Sequence, residues 1–282
     1  MTSQLTIRAG ITRTHRVEGG DGVEIFVEET GNEKGRPVLF IHGFSQCRLA
    51  WREQLRSDLR DDLRLVAMDL RGHGLSERRR DTYGESALWA QDVHAVITAL
   101  GLDRPILCGW SYGGAVIGDY LRAHGEQALG GIALVAAVSR LGEPLTPFLG
   151  SAFVAELPGM FSDDVETCTA AVERFLRLTT YAEPTAEDLY VMLGYNMAVP
   201  SHVRQAMLSR TLNHDDLLAR LRLPTLIVHG LEDRVVLPAM SERFIELIPH
   251  AKLALYDHVG HSAFSEQPAA FNAELLQFAS SL

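Results

Sequence analysis

The chain is 282 residues long, enough for one large domain or for one domain carrying an insertion. Hydrophobic residues make up 46% and charged residues 22%, an ordinary globular composition, and 36 acidic against 26 basic side chains leave a formal charge of −10. Such a surface repels phosphate backbones and anionic lipid, so nucleic acid and membranes are excluded as expected partners and a small-molecule substrate is left.

In chain order, the first eight residues lack the basic-then-apolar pattern of a signal peptide. Residues 23–30 alternate with the period of a half-exposed strand, and residues 15–18 pair with them across Gly19-Gly20-Asp21-Gly22. Three apolar runs, 38–41, 63–68 and 106–108, read as strands buried on both faces. Helical patterns separate them at 51–59 and at 86–100, the second with Leu88, Val93, Val96, Ile97 and Leu100 as its apolar residues and Gly101 as its stop. Residues 131–136 are a further strand. Alternation of this kind predicts an α/β fold, a parallel sheet covered on both faces.

From 139 to 213 the pattern changes. No short apolar strand separates the helices, Phe, Leu and Met are frequent, and Pro144, Pro147, Pro158, Pro184 and Pro200 break the segment into pieces. The expectation is a helical lid at 139–213 inserted into a core domain made of 1–138 and 214–282. Strands resume at 225–229 and 252–256, and a helix over 267–280 closes the chain. The longest apolar run, 132–138, is far short of the ~20 residues that a membrane span needs. Cys47, Cys108 and Cys168 are an odd number without metal-type spacing, which places the protein in a reducing cytoplasm.

The most informative stretch is Gly109-Trp110-Ser111-Tyr112-Gly113, between the strand at 106–108 and a helix opening at Gly114. A Ser flanked by Gly on a strand-to-helix turn is the nucleophile-elbow pattern. The turn strains the Ser backbone, and a Cβ at either flanking position would crowd it. An incidental Gly-rich turn has the same letters, so a base, an acid and an oxyanion loop must accompany it. In open parallel sheets, reactive groups collect beyond the carboxyl ends of the strands. Gly230-Leu231-Glu232-Asp233-Arg234 follows one late strand and Val259-Gly260-His261-Ser262 the next.

The order Ser111, Asp233, His261 makes a nucleophile, an acid that orients the base, and the base itself. Glu232 rivals Asp233, and His258 rivals His261; the shorter Asp and the Gly before His261 favour the chosen pair. After the strand ending at Ile41, His42-Gly43-Phe44-Ser45 supplies the remaining part. The backbone N–H groups of Phe44 and Tyr112 are expected to form an oxyanion hole. His42 reads as a brace for this loop. A metal site at His42, Asp69 and His73 lacks ligand-like spacing, so no metal is expected.

These motifs, with the loop at 69–76, resemble the α/β-hydrolase superfamily over essentially the whole chain. The resemblance implies a mostly parallel central sheet with helices on both faces, an inserted helical lid, and acyl transfer that requires no metal or organic cofactor. The loop at 69–76 reads as structural, with Asp69 and Arg71 tying neighbouring loops. Ser at the elbow disfavours the dehalogenase and epoxide hydrolase branches, which use Asp there. Ser262 stands where the C–C bond hydrolases often carry Trp. The layout is most similar to perhydrolases and to small-ester or enol-lactone hydrolases, although perhydrolase-like members usually have Met where Tyr112 stands. The expected activity is hydrolysis of a small to medium, largely apolar ester or lactone through an acyl-enzyme. C–C bond hydrolysis, perhydrolysis and a slow-turnover receptor role are the alternatives. Trp110, Phe148, Phe153, Leu157, Met160 and Phe161 are expected to line an apolar pocket, against the competing reading that the lid residues pack among themselves. Arg174, Arg177 and Arg204 are candidates to bind a substrate carboxylate. A monomer and a homodimer are equally compatible with the sequence.

Overall fold

The computed structural model describes residues 12–282; the N-terminal segment read above for a leader lies outside the described residues. Eight strands form one sheet in the order β1-β2-β4-β3-β5-β6-β9-β10. They are β1 (Arg13–Glu18), β2 (Glu24–Gly31), β3 (Arg36–Ile41), β4 (Leu63–Met68), β5 (Ile106–Trp110), β6 (Gly131–Val135), β9 (Thr225–Gly230) and β10 (Lys252–Tyr256). Strand β2 is antiparallel to both of its neighbours, β1 and β4, and every pairing from β4 to β10 is parallel.

The apolar runs in the sequence have a direct cause. Successive strand residues point to opposite faces, and both faces are covered. Leu39 and Ile41 of β3, Leu107 of β5 and Ile132 and Leu134 of β6 join one core; Val38, Phe40, Ile106, Cys108, Ala133 and Val135 join the other. The first core is closed by helices α1 (Ser86–Ala99), α2 (Tyr112–His124) and α7 (Ala239–Leu247), the second by Trp51, Leu55 and helix α8 (Pro268–Ser280). Each large apolar side chain buried in this way contributes roughly 1.5–3 kcal/mol.

Between β6 and β9 the chain leaves the sheet and forms a cap of four helices of eight or more residues, α3 (Ser151–Met160), α4 (Val165–Leu178), α5 (Ala186–Met197) and α6 (Ser201–Leu208), beside a 3₁₀ helix at Glu143–Phe148 and a single α turn at Asp215–Leu218. Two of them begin on side-chain caps: the Asp164 carboxylate accepts from Thr167 N at 2.9 Å, and Thr185 Oγ1 accepts from Asp188 N at 3.1 Å. A two-residue ribbon, β7 (Arg140–Leu141) against β8 (Leu212–Asn213), joins the two ends of this excursion.

Two local expectations are corrected. The segment at 51–59 is not one helix. It is a 3₁₀ turn (Arg48–Trp51), one α turn (Arg52–Leu55) and a second (Leu59–Asp62). Ser57 interrupts it, with Oγ donating to Gln54 O at 2.8 Å and accepting from Leu59 N at 3.3 Å in place of helix continuation. Pro158 does not break its segment but lies inside α3, near its end.

Candidate active site

Ser111 sits at the N-cap of α2 with φ 54° and ψ −117°, outside the region that an L-residue normally occupies. The turn is held by Ser111 N donating to Val135 O at 3.0 Å and by Ser111 O accepting from Gly114 N at 2.9 Å and Val138 N at 3.0 Å. The flanking glycines are a packing requirement. A Cβ on Gly109 would lie 2.7 Å from Ile117 Cδ1, and one on Gly113 would lie 2.4 Å from the carbonyl of Ile41.

Asp233 and His261 come from the loops after β9 and β10, which touch so closely that a Cβ on Gly230 would lie 2.1 Å from Gly260 O. His261 Nδ1 is 2.7 Å from Asp233 Oδ2. A neutral imidazole that donates its Nδ1–H in a hydrogen bond to a carboxylate leaves Nε2 as an acceptor. The other carboxylate oxygen, Oδ1, accepts from Val235 N at 2.8 Å and Val236 N at 3.0 Å. Burial alone would raise the Asp233 pKa; His261 and His229, charge and hydrogen bonds together, hold it well below the ordinary carboxylate value.

His229 is the residue that sequence reasoning missed. It lies in β9, is almost fully buried, and places Nε2 3.1 Å from Asp233 Oδ2 and 2.9 Å from Val236 O. Its only signal was a His inside an apolar strand, immediately before the turn that carries the acid. The rivals lie elsewhere. Glu232 accepts from Val259 N at 3.0 Å, and His258 is exposed, 4.0 Å from Glu232.

Ser111, His261, Phe44 and Tyr112 line one cavity. Neither the Phe44 nor the Tyr112 N–H donates to another backbone group outside regular structure among the described residues. His42 is fully buried beneath the loop. Its Nδ1 faces Gly43 O at 2.9 Å and its Nε2 accepts from Leu70 N at 2.9 Å; burial lowers its pKa to about 4 and keeps it neutral at pH 7. Asp69 is turned to Arg48 (N at 2.7 Å, Nη1 at 3.0 Å) and Leu75 N (2.9 Å), so His42, Asp69 and His73 serve the loops around them.

The remaining walls are apolar: Val138, Leu141, Leu145, Leu149, Phe175, Leu208, Val235 and Val236, with the single carboxamide of Gln46. The cavity they enclose is narrow, with a volume of about 40 Å³. Of the six pocket residues expected from the sequence, Trp110 and Phe153 line this cavity, whereas Phe148, Leu157, Met160 and Phe161 do not. The stripe 153, 157, 160, 161 is one helical face, but only its first turn reaches the cavity. Met160 is fully buried, its carbonyl taken by Arg204, and Gly159 packs on Ala171 of α4. Phe148 lies under the Arg140 guanidinium, 5.3 Å from its ring centroid. The three arginines do not line the cavity either. Arg174 pairs with Glu156, Arg177 with Glu173 and Glu183, and Arg204 is buried among cap groups.

Among the described residues no helix is long and apolar enough to cross a membrane. Cys47, Cys108 and Cys168 are buried free thiols, and burial pushes that of Cys47 up to about 12.

Comparison with known proteins supplies the context of this geometry. The alpha/beta hydrolase fold family matches residues 36–268. The esterase RhEst1 from Rhodococcus sp. ECU1013 is similar in structure with a TM-score of 0.91 and 37% identity, over 95% of this chain and 99% of its own. The non-heme chloroperoxidase CPO-A1 of Kitasatospora aureofaciens is 29% identical over 92% of this chain and 96% of its own. The bifunctional esterase/perhydrolase DCH of Acinetobacter calcoaceticus is 27% identical, again over 92% and 96%.

Proposed function

This chain belongs to the alpha/beta hydrolase fold family, and from that premise we propose that it hydrolyses a small, largely apolar carboxylic ester or lactone through an acyl-enzyme on Ser111. The observation that carries the reading is the 2.7 Å bond between His261 Nδ1 and the buried Asp233, with His261 and the strained Ser111 on one cavity wall. Ser111 Oγ attacks the ester carbonyl carbon while His261 Nε2 takes its proton. Asp233 holds the ring in that tautomer and stabilises the imidazolium. The Phe44 and Tyr112 N–H groups receive the oxyanion, one from the loop after β3 and one from the first turn of α2. Collapse of the tetrahedral intermediate transfers the His261 proton to the departing alkoxide. Water then repeats the sequence on the acyl-enzyme and releases the acid.

The esterases among the similar proteins support ester cleavage as the reaction class. The narrow, apolar cavity of about 40 Å³ supports a short acyl group, since pockets for drug-sized ligands run to roughly 300–1,000 Å³. The names chloroperoxidase and perhydrolase among the relatives favour one second reading. There, hydrogen peroxide replaces water as the attacking group on the acyl-enzyme, and the product is a peracid and free Ser111.

Ser111→Ala is expected to abolish turnover of p-nitrophenyl acetate and butyrate and labelling by a fluorophosphonate probe, with an unchanged circular dichroism spectrum. Retained turnover in that variant overturns the assignment. Peracid formation from acetate ester and peroxide, assayed on the same preparation, decides the second reading.

A further inference from the structure

The loop that carries Phe44 is gripped by the cap at three successive residues. The Phe44 ring lies edge-on to Phe153 of α3, centroids 6.5 Å apart, and to Phe175 of α4, 6.3 Å apart. Ser45 Oγ accepts a 2.8 Å hydrogen bond from Arg204 Nε of α6. Gln46 Oε1 accepts from Asn196 Nδ2 of α5 at 3.4 Å. All four cap helices therefore reach this one short stretch.

The middle grip is unusual in two ways. Ser45 is fully buried and has φ +61°, a left-handed conformation that a residue with a Cβ keeps only when its surroundings over-determine it. Arg204 is 1% exposed, and among the described residues no carboxylate is among its partners. Nε goes to Ser45, Nη1 to Met160 O and Cys168 Sγ, both at 3.2 Å, and Nη2 to Asn196 O at 2.6 Å. Burying a guanidinium without a counter-ion is costly, and an apolar side chain would fill the same space at lower cost. What the guanidinium adds is a rigid planar fork. Its two terminal nitrogens are held by cap groups, and the remaining donor is aimed at the loop.

We propose that Arg204 is a positioning residue for ester hydrolysis: anchored in the cap, it clamps Ser45 in its left-handed conformation and thereby aims the neighbouring Phe44 N–H at the oxyanion. The inference rests on the reading of Phe44 as an oxyanion donor. It makes the cap part of the catalytic apparatus as well as a wall of the pocket. Because the oxyanion exists only after Ser111 has added to the carbonyl, the clamp acts on the transition state and leaves ground-state binding alone.

The test compares Ser45→Ala, Arg204→Gln and Arg204→Lys with the wild type. Ser45→Ala removes only the bond to the loop and leaves the other Arg204 contacts in place, so it remains informative if an Arg204 variant does not fold. Two matched inhibitors separate the states. A trifluoromethyl ketone takes up Ser111 Oγ to give a hemiketal oxyanion, with the serine proton passing to His261; the plain methyl ketone binds unreacted. The expected result is kcat lower by ten- to a hundredfold, KM within about twofold, and trifluoromethyl ketone affinity falling in parallel with kcat while methyl ketone affinity holds. Arg204→Lys should behave like Arg204→Gln, because it keeps the charge and loses the fork. An unchanged kcat in Ser45→Ala, equal weakening of both ketones, or full activity in Arg204→Lys overturns the clamp. Wild-type turnover and its loss in Ser111→Ala are measured in the same assay. Their absence would overturn the proposed function, and the clamp with it, whereas their presence beside an unaltered Ser45→Ala overturns the clamp alone.

Discussion

Asp233 concentrates most of the electrostatics at the candidate site. Its buried carboxylate takes two backbone N–H bonds on one oxygen and two imidazoles on the other. Asp233→Asn is expected to lower kcat by about 10⁴-fold through the wrong His261 tautomer, with the fold retained. Glu232→Gln should leave kcat near the wild-type value; steady-state kinetics on one short ester checks both. Because the folded-state pKa of Asp233 is depressed, its contribution to stability is present above the ordinary carboxylate pKa of about 4 and is lost as pH falls through the folded value. Urea midpoints should therefore fall below pH 4 in the wild type, and less steeply in Asp233→Asn. The three residues of the set were legible as strand-end residues in a particular chain order. His229 was not, because a strand histidine touching an acid four residues later depends on how the turn folds back.

Single loops and helices carry the next set of consequences. The loop from His42 to Gln46 stands on His42, whose burial lowers its pKa to about 4 from an unfolded value near 6.5. The folded state thus refuses a proton that the unfolded state accepts. The stabilising contribution is full above about pH 6.5 and is lost as pH falls towards 4, up to about 3 kcal/mol. Urea denaturation between pH 7 and 4.5 should show this loss, with a shallower slope in His42→Asn; buried His73, whose pKa also lies well below the usual value, keeps part of the slope in that variant. On α3, Phe153 is the aromatic that reaches the cavity. Phe153→Ala is expected to cost about 3–5 kcal/mol and to move the best substrate towards longer acyl chains, read from kcat/KM over acetate to octanoate esters. The sheet strands were readable because burial on both faces leaves an unmistakable apolar run. Which part of the α3 stripe meets substrate was not, because the same spacing serves packing against α4.

Across the whole molecule, buried ion pairs tie distant segments. Arg71 and Asp92 are both fully buried and joined bidentately, with Nε and Nη2 each at 2.7 Å. Arg71 also reaches Gly20 O, Leu88 O and Thr82 O, so the β1–β2 turn, the loop after β4 and α1 meet on one guanidinium. Arg71→Met leaves Asp92 buried and unpaired. The expected cost is about 3–5 kcal/mol in urea denaturation, with kcat per folded molecule unchanged. The chain by itself determined the sheet, the elbow, the order of the candidate residues and their place at strand ends, because local periodicity, glycine requirements and strand-end position are written in short windows. Only the tertiary structure decided which cap side chains face the cavity, that Arg204 turns inward to Ser45 instead of outward to substrate, and that His229 joins Asp233. Those outcomes depend on how helices and loops distant in sequence are rotated against one another, and a helical stripe of apolar and basic residues is the same on paper whichever way it turns.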